Sequence, residues 1–71
     1  MTDPDLIRAS IEASSLSARR FAEWILARDE RTIRRWASGD IAIPPIVRLW
    51  LERWLELSDA TRVRIVGTLS G

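Results

Sequence analysis

Cysteine, histidine, lysine and tyrosine are all absent from this 71-residue chain, and phenylalanine and methionine occur once each. Without cysteine there is no disulfide framework, and without cysteine or histidine no zinc cluster, so the usual staples of a small domain are missing. The same absences empty the catalytic inventory. Serine, threonine and lone carboxylates remain, with no paired constellation and no activator, so no enzyme is expected. No cofactor is expected, and a core this small gives no basis for a small-molecule pocket. Long apolar runs are also lacking, since the longest fall far short of the ~20 residues that span a bilayer. The opening Met1-Thr2-Asp3-Pro4-Asp5 has no basic, apolar leader pattern. The expectation is one cytoplasmic domain, residues 1–71, with no membrane partner.

Chains of this length bury only about 60% of the surface their unfolded form exposes. Hydrophobic packing, helped by self-association, must supply the stability. What the chain has in abundance is arginine, which accounts for all eleven of its basic residues. Arginine is the better fork for phosphates and guanine edges. The net charge of +1 hides an uneven distribution. Residues 17–38 hold Arg19, Arg20, Arg28, Arg31, Arg34 and Arg35 against Glu23, Asp29 and Glu30, a local excess of positive charge. Residues 39–60 hold Arg48 and Arg53 against Asp40, Glu52, Glu56 and Asp59, a local excess of negative charge. One face is thus suited to a polyanion and another to a different task.

The apolar spacing predicts an all-α bundle of four to five short helices. Thr2 or Asp3 caps the first, with Pro4 in its first turn and Leu6, Ile7 and Ile11 inward. It fades at Ala13-Ser14-Ser15. Ser17 caps a second helix behind Leu16, with Phe21, Ala22, Ile25 and either Trp24 or Leu26 buried. Asp29 caps a third, docked by Ile33 and Trp36, and Gly39 ends it in a left-handed C-cap. Pro44-Pro45 suits the entry to a fourth, running to about Leu57. Its inward stripe is read as Ile46, Leu49, Trp50, Arg53 and Trp54, with Val47, Leu51 and Leu55 largely outside it. Ser58 caps a last helix with Val63, Val66 and Leu69 inward, and the tail past Gly67 is left open between helix, strand and disorder. Two apolar faces on the fourth helix exceed what so small a core absorbs, so residues 44–69 are expected to dimerise. The expected interface is Val47, Trp50, Leu51, Trp54 and Leu55.

A helix that enters the major groove needs an apolar pair to dock it and polar donors elsewhere on its first two turns. Residues 29–36 have that layout. Ile33 and Trp36 dock, while Glu30, Arg31, Thr32, Arg34 and Arg35 are candidates for reading bases. Arg31 or Arg35 suits a bidentate contact to guanine, and Glu30 suits a cytosine amino group or the orientation of an arginine. Ser17, Ala18, Arg19 and Arg20 at the start of the second helix are candidates for phosphate contacts, with Ser38 and Arg48 as weaker ones.

The run Leu16-Ser17-Ala18-Arg19-Arg20-Phe21-Ala22, continued by residues Asp29 to Gly39 and closed by Ile43-Pro44-Pro45, resembles the lambda-repressor-like, Cro/C1-type helix-turn-helix family. The likeness covers roughly residues 5–57 and is sharpest from Thr32 to Gly39. It implies a bundle of four or five helices that binds double-stranded DNA, commonly as a homodimer on a palindromic operator, as many repressors and autoregulators do. It also implies base reading by Glu30, Arg31 and Arg35, and phosphate contact at Ser17 and Ala18. Two features depart from the family pattern. Ala27 lies five residues after Ala22 where a glycine usually comes four after, so the second helix or the turn holds one extra residue. The loop after Gly39 lacks the usual basic residues. Besides a dimeric transcriptional regulator, two other readings stand. One is a helical protein-interaction module (an inhibitor or adaptor) on the same fold. The other is a DNA-packaging or excision accessory protein.

Overall fold

The first helix, α1 (Asp3–Ser14), begins with a reciprocal cap: Asp5 N–H donates to Thr2 Oγ1 at 3.2 Å, and Thr2 N–H to Asp5 Oδ2 at 3.4 Å. In this computed structural model, which describes residues 1–70, four further helical elements follow, and no strand occurs among the described residues. They are α2 (Ala18–Arg20), which runs directly into a π-helical segment (Phe21–Leu26), then α3 (Glu30–Ser38), α4 (Pro45–Glu56) and α5 (Asp59–Ser70). No helix among them is long and apolar enough to cross a membrane. The tail after Gly67 is helical as far as Ser70.

Helix α1 is the spine, packing against α3, α4 and α5. Its Leu6 and Ile7 join Phe21, Ala22, Ile33, Trp36, Ile43, Val47, Leu51 and Trp54 in one core. Ile11, Leu16, Ile25 and Leu26 pack around the edge. Two buried polar groups on α1 are satisfied inside that core. Ser10 Oγ donates to the Leu6 carbonyl at 2.7 Å, and the Ser10 carbonyl accepts Trp54 Nε1–H at 3.0 Å. Trp54 therefore docks by hydrogen bond as well as by area. Phe21 meets its ring edge-on at 6.1 Å, and Trp50 stacks on it at 5.6 Å.

Helix α4 is rotated relative to the sequence expectation. Val47, Leu51 and Trp54 are buried inside the protomer and Leu55 is half-buried, so these four residues of the expected interface face inward or sideways. Ile46, Leu49 and Trp50 are the exposed ones, at 72%, 46% and 41%. Both stripes recur at helical spacing, and periodicity alone cannot choose between them. The choice is made by α1. Its Ser10 carbonyl takes the Trp54 indole, and its Asp3 carboxylate takes the Arg48 guanidinium while also accepting Ile43 N–H at 2.9 Å. These polar anchors fix which side of α4 turns in.

Helix α5 differs as well. Val63 and Leu69, expected inward, are exposed at 71% and 48%. Val66 and Ile65 are half-buried, and the residue that turns fully inward is Arg62. Its Nη1 donates to the carbonyls of Trp54 at 3.1 Å, Leu55 at 3.4 Å and Leu57, and its Nη2 pairs with Asp59. The last carbonyls of a helix have no partner within it. Arg62 supplies several from one fork of donors, at the cost of leaving its own buried Nε–H unpaired.

Candidate nucleic-acid interface

The arginine-rich stretch begins where Ser17, in extended conformation, caps α2 by accepting Arg20 N–H at 3.2 Å. The helix then widens. Over Phe21–Leu26 it is π-helical, and it ends at Ala27 in the left-handed region, φ 52°. The N–H groups of Ala27 and Arg28 both return to the Ala22 carbonyl, the latter at 2.9 Å. A π turn holds one more residue than an α turn. Ala27 takes a left-handed position that glycine favours.

Asp29 opens α3. Its Oδ1 accepts Thr32 N–H at 2.9 Å and the Thr32 hydroxyl at 3.0 Å. The Thr32 backbone bond first, and its hydroxyl second, hold the Asp29 carboxyl below the usual aspartate range. Inward, Ile33 and Trp36 are almost wholly buried. At the far end Gly39, at φ 81°, donates to the carbonyls of Arg35 and Trp36, and the Arg8 guanidinium donates to the Ala37 carbonyl at 2.8 Å. A cation at a helix C-terminus complements the negative end of the dipole there.

The candidate side chains fall into three groups. Arg31 is exposed, with no ion pair among the described residues, and Arg28 beside the turn is the same. Others are paired locally: Arg34 to Glu30 at 3.1 Å, Arg35 to Asp40 at 3.0 Å, and Arg19 to Glu23 at 3.1 Å. Arg20 lies over the Trp24 ring at 5.3 Å. These pairs are largely solvent-facing and cheap to open. A third group is committed elsewhere. The Thr32 hydroxyl is spent on Asp29, and Ser38 Oγ donates to the Arg35 carbonyl at 3.1 Å and accepts Asp40 N–H at 3.3 Å. Arg48, a candidate phosphate contact, is bound to Asp3 and to the Met1 carbonyl at 2.8 Å, which ties α4 to the start of α1. Ala18 sits half-buried on the first turn of α2, which packs against α3.

Sequence reasoning passed over Arg28 and Arg8. Arg28 was visible as a charge directly after the turn alanine. The role of Arg8 depends on where α3 ends, which no local pattern on α1 marks.

Away from this surface, Ile46, Leu49 and Trp50 of α4 and Ile25 and Leu26 of the π segment line an open apolar groove of about 420 Å³, with Arg53 on its rim. Glu56 holds Arg53 by two bonds, at 3.0 and 2.7 Å. No family model matches the chain, and neither a curated protein nor a solved structure matches it.

Proposed function

We propose that this protein is a sequence-specific, double-stranded DNA-binding regulator, with α2 and α3 acting as a helix-turn-helix and two copies sharing a palindromic operator. The observation that carries the reading is α3. It is a nine-residue helix, capped at both ends and docked by two buried side chains, whose outward faces carry three arginines. A helix so held offers fixed positions for donors at base edges, which is what direct readout in the major groove needs. Arg31 and Arg35 are the base-reading candidates. Ser17, Arg19, Arg20 and Arg28, around the ends of the preceding helix, suit the flanking phosphates. In this reading the protein is no enzyme, needs no cofactor, and works by occupying promoter DNA in the cytoplasm.

The dimer face in this proposal is the exposed side of α4, namely Ile46, Leu49 and Trp50 together with Ile25 and Leu26. A standard interface takes about 800 Å² from each partner. That is roughly a sixth of the 4664 Å² exposed here, and this apolar groove is the natural centre for such a patch. The groove also favours a second reading, a helical module whose partner is another protein.

Selecting bound duplexes from a random pool separates the two readings. The regulator yields a palindromic consensus that the Arg31→Ala/Arg35→Ala double variant no longer selects. A pool that stays random with the wild-type protein excludes sequence reading and leaves the groove as the functional surface.

A further inference from the structure

Arg34 and Arg35 are neighbours on α3 but are held in different ways. Arg34 gives a terminal nitrogen, Nη2, to Glu30, so the end that would meet a base is occupied. Arg35 gives Nε to Asp40 Oδ2 at 3.0 Å, and its two terminal nitrogens have no partner among the described residues. Asp40 is itself fixed. Its N–H donates to the Arg35 carbonyl at 3.0 Å and to Ser38 Oγ at 3.3 Å, just past the left-handed turn at Gly39. The carboxylate thus rides on backbone that folds back onto the residue whose guanidinium it holds.

We propose that Asp40 is a positioning residue for base recognition by Arg35: by holding Nε it aims the Nη1–Nη2 edge outward, where it matches the N7 and O6 acceptors of guanine. This rests on the reading that α3 enters a major groove. An unheld arginine must be ordered when it meets a base, and that ordering costs entropy. The exposed Arg35–Asp40 pair opens easily, but while closed it supplies part of that ordering in the free protein. It also carries a negative charge beside the DNA backbone, which opposes binding to every sequence alike. A positioning carboxylate therefore has effects of opposite sign, lowering affinity for arbitrary DNA while raising the preference for one base pair. A residue that merely stabilised the cap would change both in the same direction.

The test compares wild type, Asp40→Ala, Asp40→Asn, Arg35→Ala and the Asp40→Ala/Arg35→Ala double variant. Each is measured on the duplex wild type selects, on its single-base-pair variants and on a scrambled duplex, at one salt concentration. Asp40→Ala is expected to bind the scrambled duplex severalfold more tightly. It should also lose about tenfold of its discrimination at one base pair, the same one Arg35→Ala loses. In the Arg35→Ala background the Asp40 change should do nothing to discrimination. Asp40→Asn keeps an oxygen for Nε without the charge, so it should retain part of the preference while still gaining affinity for the scrambled duplex. Thermal melts check folding, which an exposed carboxylate should barely affect. Asp40→Ala with wild-type discrimination at Arg35's base pair overturns the proposal, as does a loss spread evenly over the site. Wild type that selects no duplex overturns the DNA-binding reading itself.

Discussion

Ala27 holds the tightest point of the arginine-rich segment in a conformation its own side chain resists. At φ 52° its Cβ crowds the following carbonyl, which costs about 1 kcal/mol, and glycine would not pay that penalty. Glycine also loses more freedom on folding, so part of the gain is returned. Ala27→Gly should therefore stabilise the protein by about 0.5 kcal/mol, read as a higher urea midpoint with an unchanged slope. A lower midpoint would mean the alanine methyl makes contacts worth more than its strain. The residues legible in the sequence are of this local kind. Thr2, Ser17, Asp29 and Gly39 cap helices by bonds that reach three or four residues along the chain, so their neighbours suffice to identify them. Arg48 and Arg62 were not legible. Arg48 read as a weaker phosphate contact, and neither shows as an anchor until α1 meets α4, or α5 turns back on α4, and presents the acceptors they take.

Among the elements, α3 opens on one ionised capping group. Asp29 has its carboxyl held below the usual range by the Thr32 backbone and hydroxyl, so it stabilises the folded state at pH values above the ordinary aspartate pKa. That contribution fades as pH falls below about 4 and through the lowered folded value. Acid should therefore loosen the start of α3, seen as a fall in helical circular dichroism and a change in Trp36 fluorescence. Asp29→Asn should flatten that acid response and leave the neutral spectrum nearly unchanged. An identical acid response in the variant would assign it to other carboxylates, such as the Thr2-bonded Asp5. The existence and order of the helices were readable because α1, α2, α3 and α5 open on a capping side chain and α4 opens on Pro44-Pro45. The side of α4 that turns inward was not. Val47-Leu51-Trp54 and Ile46-Leu49-Trp50-Arg53-Trp54 are both helical stripes, and contacts on another helix, among them the Asp3 carboxylate that holds Arg48, decide between them.

At the scale of the molecule, the proposed regulator, a body of 32 × 22 × 18 Å, would meet an operator whose half-sites lie about 34 Å apart. Two copies side by side match that spacing, and the exposed α4 face is the apolar surface available to join them. Ile46 is the cleanest point to test, because at 72% exposure it contributes almost nothing to its own core. Ile46→Glu should leave the thermal midpoint nearly unchanged and weaken self-association by more than tenfold in sedimentation. It should also lower affinity for a full palindrome far more than for a half-site. Equal losses on both duplexes would remove the dimer from the mechanism.

The clasp made by Arg62 sets how the C-terminal helix moves. Helix α5 offers the core only the half-buried Ile65 and Val66, while Val63 and Leu69 face outward, so little apolar area holds it down. What fastens it is one guanidinium gripping the carbonyls at the end of α4. Such a grip does not peel away residue by residue: releasing it exposes several carbonyls and a buried charge at once. Helix α5 is thus fastened at its first turn, next to Leu57-Ser58, by a grip that releases as one event, while its later turns rest on Ile65 and Val66.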